Sequence, residues 1–525
     1  MANELNLQFS FTQKQWTLLL YSIIVVFLFA DQNLLSPNLS AAAKDFGFND
    51  IERDQKLGGD IAIAFFLVGA PASFIVGCLA DSRYIRRNIL FGTIVLIGEG
   101  ACMATYFTTT YAGLYATRAL TGFSVGGALP VLSSVLGDWY PPEDQSTVMA
   151  YVGIGSATGI ALGQGLSGMI GPIYGWRTPF LVVGFPAVVL AFVFMLTTID
   201  PKRPGEDIIE HHHENACLES QRSGIDEQDY SPFLQEHDES NKESNRTHAV
   251  LSPFMVGKDG DESSDRFDLM YNLPDPCHSS THDFFKTFIQ LLKTPTVLLA
   301  LLQGAPGCFP WGVINTYLND YLSTDIGMSV QGATVTLMIF SIGVFCGMLI
   351  GAYGGKYLYI MDVRYPCILG GVMAIFGCIP LWMLINTNPV QRSDGIHIGM
   401  WNSLGMPFVA FVSGTSSGVT GPIIKSILQN VIGPDARGQA FAMFNTFDDF
   451  GRGLGPYFVA ELILSMGSRR KAFNIAVCGW IFCGLFVLCT FFTIKRDQEK
   501  VKRYNLDLKS SERPSMPDIL SRPIS

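Results

Sequence analysis

Long apolar runs separated by short polar interruptions dominate the hydrophobic pattern of this chain. A helix that crosses a bilayer needs about 20 mostly apolar residues. Twelve runs meet this requirement, and they lie near 16–38, 57–80, 88–108, 112–136, 146–170, 178–198, 296–318, 332–354, 365–386, 401–425, 438–464 and 472–494. Because lipid offers no partner for unpaired backbone groups, the pattern predicts twelve transmembrane helices rather than open strands.

A polar, acidic segment separates the first six runs from the last six. Residues 199–290 contain almost no aliphatic run, which is typical of a disordered linker. We interpret the triplet His211–His213 within it as a solvated tract rather than a metal site. The predicted organisation is a cytoplasmic N-terminus 1–15, a six-helix bundle 16–198, the linker 199–290, a second six-helix bundle 291–494 and a cytoplasmic tail 495–525.

Composition supports an integral membrane protein. Hydrophobic residues make up 48% of the chain and charged residues only 15%, well below the roughly 25% of a soluble domain. The formal net charge of −10 argues against a nucleic-acid partner, which would call for a basic surplus. Most of the 11 cysteines lie inside apolar runs and no pair has CxxC spacing, so neither a disulfide framework, a metal site nor a cofactor is predicted.

Lys and Arg indicate the orientation of the helices. They are more numerous in the loops on the side of both termini and in the C-terminal tail. The positive-inside rule therefore predicts that both termini and the linker are cytoplasmic. A multi-pass monomer in the plasma membrane or in an endolysosomal or vacuolar membrane fits this pattern.

An internal repeat relates the two halves. The segment Pro142–Gln164 aligns without gaps on Pro434–Pro456, and five positions are identical, including Gly159 with Gly451 and Gly163 with Gly455. These segments begin the fifth and eleventh apolar runs, which are equivalent places in two six-helix halves. Transporters built from two such repeats bind their substrates near the membrane midplane, between the repeats.

Two short motifs resemble those of the major facilitator superfamily. The loop GCLADSRYIRR matches the superfamily's signature loop at Gly77, Asp81, Arg86 and Arg87, and RALTGFSVGG matches a second motif that begins at Arg118. The resemblance implies an all-α integral membrane fold with twelve transmembrane helices in two pseudo-symmetric six-helix bundles. It also implies that the four loop residues latch one conformational state. We expect Arg86 and Arg87 to face anionic cytoplasmic lipid.

A narrower resemblance is to Spinster-type members of this superfamily, which move lysolipids and sphingoid phosphates. It rests on DWYPPEDQSTVMAY, on GWRTPF (Gly175–Phe180) and on the combination of Asp31 with Arg118. The chain departs from the Spinster pattern at Gln32, where an arginine is usual, and at Val125, where a glutamate is frequent.

Charged residues inside apolar runs are the first candidates for function. A buried aspartate costs about 2.5–3.5 kcal/mol on insertion scales, so it is usually paired or functional. Asp31 and Arg118 lie at similar depth in runs one and four. The resemblance to the superfamily implies that these two runs are neighbours around the central cavity, so we expect an ion pair. Breaking that pair by protonating Asp31 would couple proton movement to conformational change. The alternative is a static pair that only fixes packing.

Further candidates lie in runs three and eleven. Glu99 has flanking glycines that indicate close packing, and structural and proton-coupling roles stay equally open for it. In NTFDDFGRG, Asp448 and Arg452 are spaced i,i+4, which predicts an ion pair on one helix. Asp449 would then face the cavity or an ion pathway and is a candidate for proton translocation.

Run seven supplies candidate substrate contacts. Trp311, Asn315, Tyr317 and Asn319 occur in GCFPWGVINTYLNDYL, and the i,i+4 spacing of the two asparagines predicts that they share a face. We also assign Gln32, Asp448 and Arg452 to the substrate cavity. Helix–helix hydrogen bonds and an interfacial aromatic belt are equally good explanations of these residues.

The sequence therefore predicts a secondary transporter that moves a small organic or amphipathic solute by alternating access, coupled to protons. A Spinster-type lipid carrier and a non-transporting receptor of the same fold are the alternatives. No nucleotide-binding loop of the form GxxxxGK[ST] occurs, so ATP-driven pumping is not supported. An enzyme is not predicted, because no nucleophile–base or metal-ligand constellation stands near the membrane runs.

Overall fold

Twelve helical segments, which we number α1 to α12, follow one another in the computed structural model. It describes residues 13–81, 85–140, 142–198, 200, 288–388, 405–433 and 437–511. Within this part of the chain the segments are Gln13–Phe46, 50–81, Arg87–Thr105, Tyr111–Trp139, Pro142–Tyr174, Thr178–Thr197, Pro295–Thr324, Val330–Met361, Tyr365–Ile385, 406–431, Arg437–Met466 and 469–511. The predicted linker lies almost wholly outside the described residues.

The predicted fold class is confirmed. By length and composition alone, nine helices in the described part of the chain could cross a membrane, and α5, α10 and α11 occupy the other predicted positions. Some ends differ from prediction. Helix α2 begins at Asp50, before the predicted start of the second run at 57. Helix α12 continues to Ser511, well past the predicted end of the bundle at 494. Polar residues extend these helices beyond the lipid, where hydropathy gives no signal.

Three helices are interrupted where the two halves meet. In α1 a 3-10 turn, Ser36–Asn38, separates the long first helix from Leu39–Phe46. In α2 the segment Arg53–Asp60 is π-helical, and in α7 the segment Val313–Tyr317 is π-helical as well. Such local changes of helical geometry are frequent at functional sites.

Glycines allow α2 and α4 to pack with their backbones in contact. A Cβ atom at Gly122 would overlap the carbonyl oxygen of Phe65, and one at Gly126 would overlap that of Gly69. The same arrangement joins α8 to α10, where a Cβ atom at Gly414 would overlap the carbonyl oxygen of Phe340. Small residues at helix interfaces permit this approach in membranes. We refer to these two interfaces as the glycine seams.

The repeat found in the sequence has a structural counterpart. On α5, Gly159 and Gly163 lie directly against the backbone of α1. On α11, the equivalent Gly451 and Gly455 lie directly against α7, where a Cβ atom at Gly455 would stand 2.9 Å from the carbonyl oxygen of Cys308. Since α1 and α7 are the first helices of the two halves, equivalent glycines make equivalent contacts in each half.

The chain enters and leaves the bundle on one side. We call the end of the bundle where α1 begins and α12 finishes the proximal end, and the opposite end the distal end. Because the number of helices is even, α1 begins and α12 finishes at the same end of the bundle, whichever compartment that end faces.

Candidate functional site

A buried ion pair joins α1 to α4. The Arg118 guanidinium donates to Asp31 Oδ1 at 2.7 Å, and the two side chains are almost completely buried. Arg118 also donates to Thr105 Oγ1 at 3.1 Å and lies 4.8 Å from the centre of the Phe180 ring. The two residues predicted to meet therefore do meet, held by groups from α3 and α6.

Glu99 of α3 belongs to the same cluster. Carboxylate oxygens of Asp31 and Glu99 and the Cys102 sulfur lie within 4.8 Å of one another. The Glu99 side chain is fully buried, and neither of its oxygens has a hydrogen-bond partner among the described residues. Buried polar groups are almost always hydrogen-bonded, so this carboxyl is unusual. We call Asp31, Glu99, Cys102 and Arg118 the core cluster.

The donor set of the core cluster also bears on metal binding. Two carboxyls and a thiol within 4.8 Å of one another could supply metal ligands. The Arg118 guanidinium, however, already stands against Asp31. A divalent ion would have to sit beside this fixed positive charge, so the arrangement suits a proton better than a metal ion.

The predicted latch loop contains a buried arginine. Arg87 donates to Asp138 at 2.5 Å and to Asp200 at 3.0 Å, and it is 1% exposed. The expectation that Arg87 faces lipid is therefore wrong, because carboxylates at the ends of α4 and α6 draw its side chain inward. Arg86 is exposed at the start of α3, and Gly77 lies near the end of α2. The Asp81 side chain lies outside the described residues.

In α11 the structure has the ion pair that the i,i+4 spacing predicts. Arg452 donates to Asp448 at 2.5 Å, and its side chain is 47% exposed. The backbone carbonyl of Asp448 also accepts from the Cys308 thiol at 3.4 Å, which ties the pair to α7. The Asp449 side chain lies outside the described residues.

The two asparagines of α7 differ in burial and in their contacts. Asn315 is half-buried, and its backbone carbonyl accepts a hydrogen bond from Gln164 Nε2 of the other half at 3.3 Å. Asn319 is fully buried and donates to Thr334 of α8 at 3.1 Å. Asn319 therefore packs one helix against another. The π-helical turn Val313–Tyr317 contains Asn315 and ends before Asn319, and that the two side chains share a face stays a prediction.

The remaining candidate cavity residues differ in burial. Trp311 is half-buried, with its ring 5.9 Å from the rings of both Phe340 and Trp480. Gln32, next to Asp31, is half-buried. Tyr317 is buried, and its hydroxyl lies within hydrogen-bonding distance of the Asp54 and Pro456 carbonyls.

Four charged residues at the distal end join the two halves. Arg469 of α12 donates to both carboxylate oxygens of Asp54 and, at 2.9 Å, to Asp320 of α7. Arg53 donates to Asp54 at 3.0 Å and lies 3.8 Å from Asp320. We call Arg53, Asp54, Asp320 and Arg469 the distal ion cluster. All four side chains are at most 9% exposed.

Hydrogen bonds from α1 extend this closure. Ser40 donates to Asp320 through its backbone N–H at 2.9 Å and through its hydroxyl at 3.0 Å, and the Ser36 hydroxyl donates to the Thr316 carbonyl. Sequence reasoning missed the distal ion cluster because Arg53 and Arg469 were placed in loops. The signal available was the single charge in LNDYL, Asp320, directly after the seventh apolar run.

Comparison with known proteins places this geometry in a family. The family model described as Major Facilitator Superfamily matches residues 21–456. The probable galactarate/D-glucarate transporter GudP of Bacillus subtilis is 20% identical over 430 residues, covering 80% of this chain and 87% of GudP. The hexuronate transporter of the same organism is 25% identical over 483 residues, covering 89% of this chain and 93% of the transporter.

A solved structure shares the architecture. The crystal structure of a bacterial homolog to the human lysosomal transporter Spinster, in an inward-facing and unoccupied conformation, superposes with a TM-score of 0.64 at 16% sequence identity. The match covers 93% of this chain and 99% of that one. With the family model matching most of its length, the chain belongs to the Major Facilitator Superfamily of secondary transporters.

Proposed function

We propose that this protein is a proton-coupled secondary transporter of a small organic solute and that the core cluster carries the proton. The observation that supports this most directly is the charge balance of the cluster. Two buried carboxyls, Asp31 and Glu99, stand beside one guanidinium, Arg118. Burying an uncompensated charge is costly, so one carboxyl is expected to hold a proton when the cluster is enclosed.

Glu99 is the better candidate for that proton in the present arrangement. Asp31 already accepts a hydrogen bond from Arg118, whereas both Glu99 oxygens are without a partner in the described part of the chain. A proton that moves from Glu99 to Asp31 would weaken the Asp31–Arg118 pair and free α1 to move relative to α4. Asp449 stays a second candidate on the proton pathway.

The path of α1 supports a link between proton binding and the gate. Asp31 and Ser40 lie on the same segment, separated by the 3-10 turn Ser36–Asn38. Ser40 donates to Asp320 of the distal ion cluster. A shift of α1 that follows protonation of Asp31 would therefore act directly on the closure of the distal end.

Carboxylate-bearing solutes are the first substrates to test. The two relatives that match most of this chain are named for galactarate, D-glucarate and hexuronate, which are all sugar acids. Arg452, half-exposed on α11, offers a cation for such an anion. Gln32, Trp311, Asn315 and Asp448 are the further proposed contacts. Lysolipids are the second class, because the motifs and the fold resemble those of Spinster-type proteins.

The test is uptake into proteoliposomes that contain the purified full-length chain and an internal pH indicator. Labelled D-glucarate, D-glucuronate and a lysophospholipid are supplied with and without an inside-alkaline pH gradient. We expect the gradient to accelerate uptake of one class and the internal pH to fall as it enters. Asp31→Asn and Glu99→Gln should each lower the rate of gradient-driven uptake about tenfold or more, as expected for intramembrane carboxyls on a proton relay.

Matched measurements separate loss of coupling from loss of folding. Asp45→Asn removes a carboxylate whose side chain is 44% exposed and pairs with Arg177, outside both clusters, and it should leave coupling unchanged. Exchange of labelled for unlabelled solute, without a pH gradient, should survive in Asp31→Asn. Gradient-driven uptake that persists in both core-cluster variants would overturn the proton assignment. Binding of a solute with no uptake would instead support the receptor alternative.

A further inference from the structure

A shallow amphipathic cavity lies at the proximal end, where α12 passes the loop between α8 and α9. It has a volume of about 330 Å³. The lining residues are Arg364, Phe491, Phe492, Lys495, Arg496 and Glu499. None of them belongs to the core cluster, the distal ion cluster or the predicted latch loop.

One face of α12 is anchored to the bundle at this level. Asp497 is 1% exposed and accepts from the backbone N–H and the hydroxyl of Thr296, at 3.2 and 2.8 Å. Gln498 donates to the Tyr359 hydroxyl. Because these contacts fix the rotation of α12, Lys495 and Arg496 are held on its exposed face.

Along the axis of α12 the lining changes from aromatic to basic side chains. Acyl chains and charged headgroups follow one another in the same order at a membrane surface. Phe492, on the apolar side, is 81% exposed. Lys495 and Arg496 follow one turn later, where the apolar run ends. Arg364 joins the two levels, since its guanidinium lies 5.3 Å from the centre of the Phe491 ring.

The cavity has a positive charge surplus. Three cations line it, against the single carboxylate of Glu499. Asp362 accepts from Arg364 at 3.2 Å, and this guanidinium holds the pKa of the Asp362 carboxyl below its usual range. Asp497 lies 3.5 Å from Arg496 and 3.7 Å from Lys500. With these neighbours counted, four cations stand against the carboxylates of Asp362, Asp497 and Glu499, so one positive charge remains uncompensated. The next turn of α12 adds exposed Lys502 and Arg503.

We propose that this cavity binds an anionic phospholipid from the leaflet at the proximal end. The phosphate and the acidic headgroup would lie among Arg364, Lys495 and Arg496, and an acyl chain would lie against Phe492. Clusters of basic residues beside a transmembrane helix attract anionic lipid. Aromatic and long basic side chains suit the boundary between acyl chains and headgroups.

Native mass spectrometry of the detergent-purified full-length chain tests the proposal, with dioleoylphosphatidylserine and dioleoylphosphatidylcholine as the probes. We expect the wild type to retain the serine lipid in preference to the choline lipid. Arg364→Gln combined with Arg496→Gln should lower that preference at least about fivefold. The matched control, Lys502→Gln combined with Arg503→Gln, removes two cations from the same helix outside the cavity and should change the preference less than about twofold.

Three results would overturn the proposal. Equal losses in the two double variants would mean diffuse attraction to a basic helix rather than a site. An unchanged preference in the cavity variant would mean that the cavity does not hold the lipid. Displacement of the bound lipid by glycerophosphoserine, which has the headgroup without acyl chains, would assign the cavity to soluble phosphates.

A fourth variant keeps the test decisive if the cavity variant fails to fold. Glu499→Gln removes the one carboxylate in the lining and preserves the size of the side chain. It should strengthen the preference for the serine lipid about twofold or more, because the positive surplus increases. A weaker or unchanged preference in this variant would contradict the proposed role of charge.

Discussion

At the scale of single residues, Arg118 is a buried cation whose position depends on its carboxylate neighbours. Its guanidinium is 3% exposed and is the cation of the core cluster, opposite two buried carboxyls. Removing one member of a buried ion pair costs more than removing both, because the remaining charge loses its partner. The core cluster therefore makes a stability prediction that is independent of transport.

We predict that Arg118→Leu lowers the free energy of unfolding by about 3–5 kcal/mol. The double variant Asp31→Asn with Arg118→Leu should lose less, because it leaves fewer charges buried. Lowering the pH should also reduce the loss in the single variant, since protonated carboxyls need no cation. Thermal unfolding in detergent at several pH values measures each of these changes. A double variant less stable than the single variant would contradict the prediction.

The sequence was sufficient for half of the core cluster. Asp31 and Arg118 are charges in apolar runs at similar depth, which follows from the rise per residue of a helix, and the resemblance to the superfamily implied that these runs are neighbours. Glu99 could not be assigned, because depth does not give the rotation of α3 about its own axis. That rotation is fixed by packing such as that of Gly98, whose Cβ would overlap Ser124 of α4, and one sequence does not reveal it.

At the scale of helices, the glycine seams fix which helices act together. Backbone contact between α2 and α4, and between α8 and α10, leaves no room for even one methyl group at the seam. Cores respond to added volume by shifting the backbone, at a cost of about 1–3 kcal/mol. The seams should therefore be more sensitive to small substitutions than other glycines in the same bundle.

We predict that Gly122→Ala and Gly414→Ala each destabilise the protein by about 1–3 kcal/mol. Gly100→Ala is the matched control, since its Cβ would have no atom within 4 Å among the described residues. Alanine is the better helix former by about 0.5–1 kcal/mol, so the control should be neutral or stabilising. Thermal unfolding of the three variants checks the contrast. Equal effects at all three positions would contradict it.

The number and order of the helices followed from hydropathy, but their local geometry did not. Apolar runs locate a helix in sequence because lipid enforces helical hydrogen bonding. The π-helical turn Val313–Tyr317 has no such signal, and hydropathy also does not show that Asn319 is buried against Thr334 of α8. The glycine motif beginning at Arg118 was recognised from its resemblance to the superfamily, whereas its packing partner, Phe65 of α2, required the structure.

At the scale of the whole molecule, the distal ion cluster holds the two halves together at one end. Arg469 comes from the second half and Asp54 from the first, and both are buried. Opening the distal end in a transport cycle requires these contacts to break. The stability of the cluster therefore sets the population of the form that is closed at this end.

We predict that Arg469→Gln increases distal opening, because Asp54 and Asp320 lose one of the two cations that lie against both of them. Hydrogen–deuterium exchange of residues 36–60 and 317–324 should rise about tenfold or more, equivalent to about 1.4 kcal/mol of opening free energy. Lys471→Gln, an exposed position two residues later, should leave the exchange unchanged. Equal exchange in Arg469→Gln and the wild type would show that the distal ion cluster does not control opening.

The burial of the distal ion cluster has a consequence for the role of water in the transport cycle. Four ions that are at most 9% exposed when the halves meet must each acquire a hydration shell when the halves separate. Opening is then an uptake of water as well as a movement of helices. A neutral osmolyte that lowers water activity should favour the closed form, so the turnover rate of this protein would depend on osmotic pressure even with solute and proton gradients held constant.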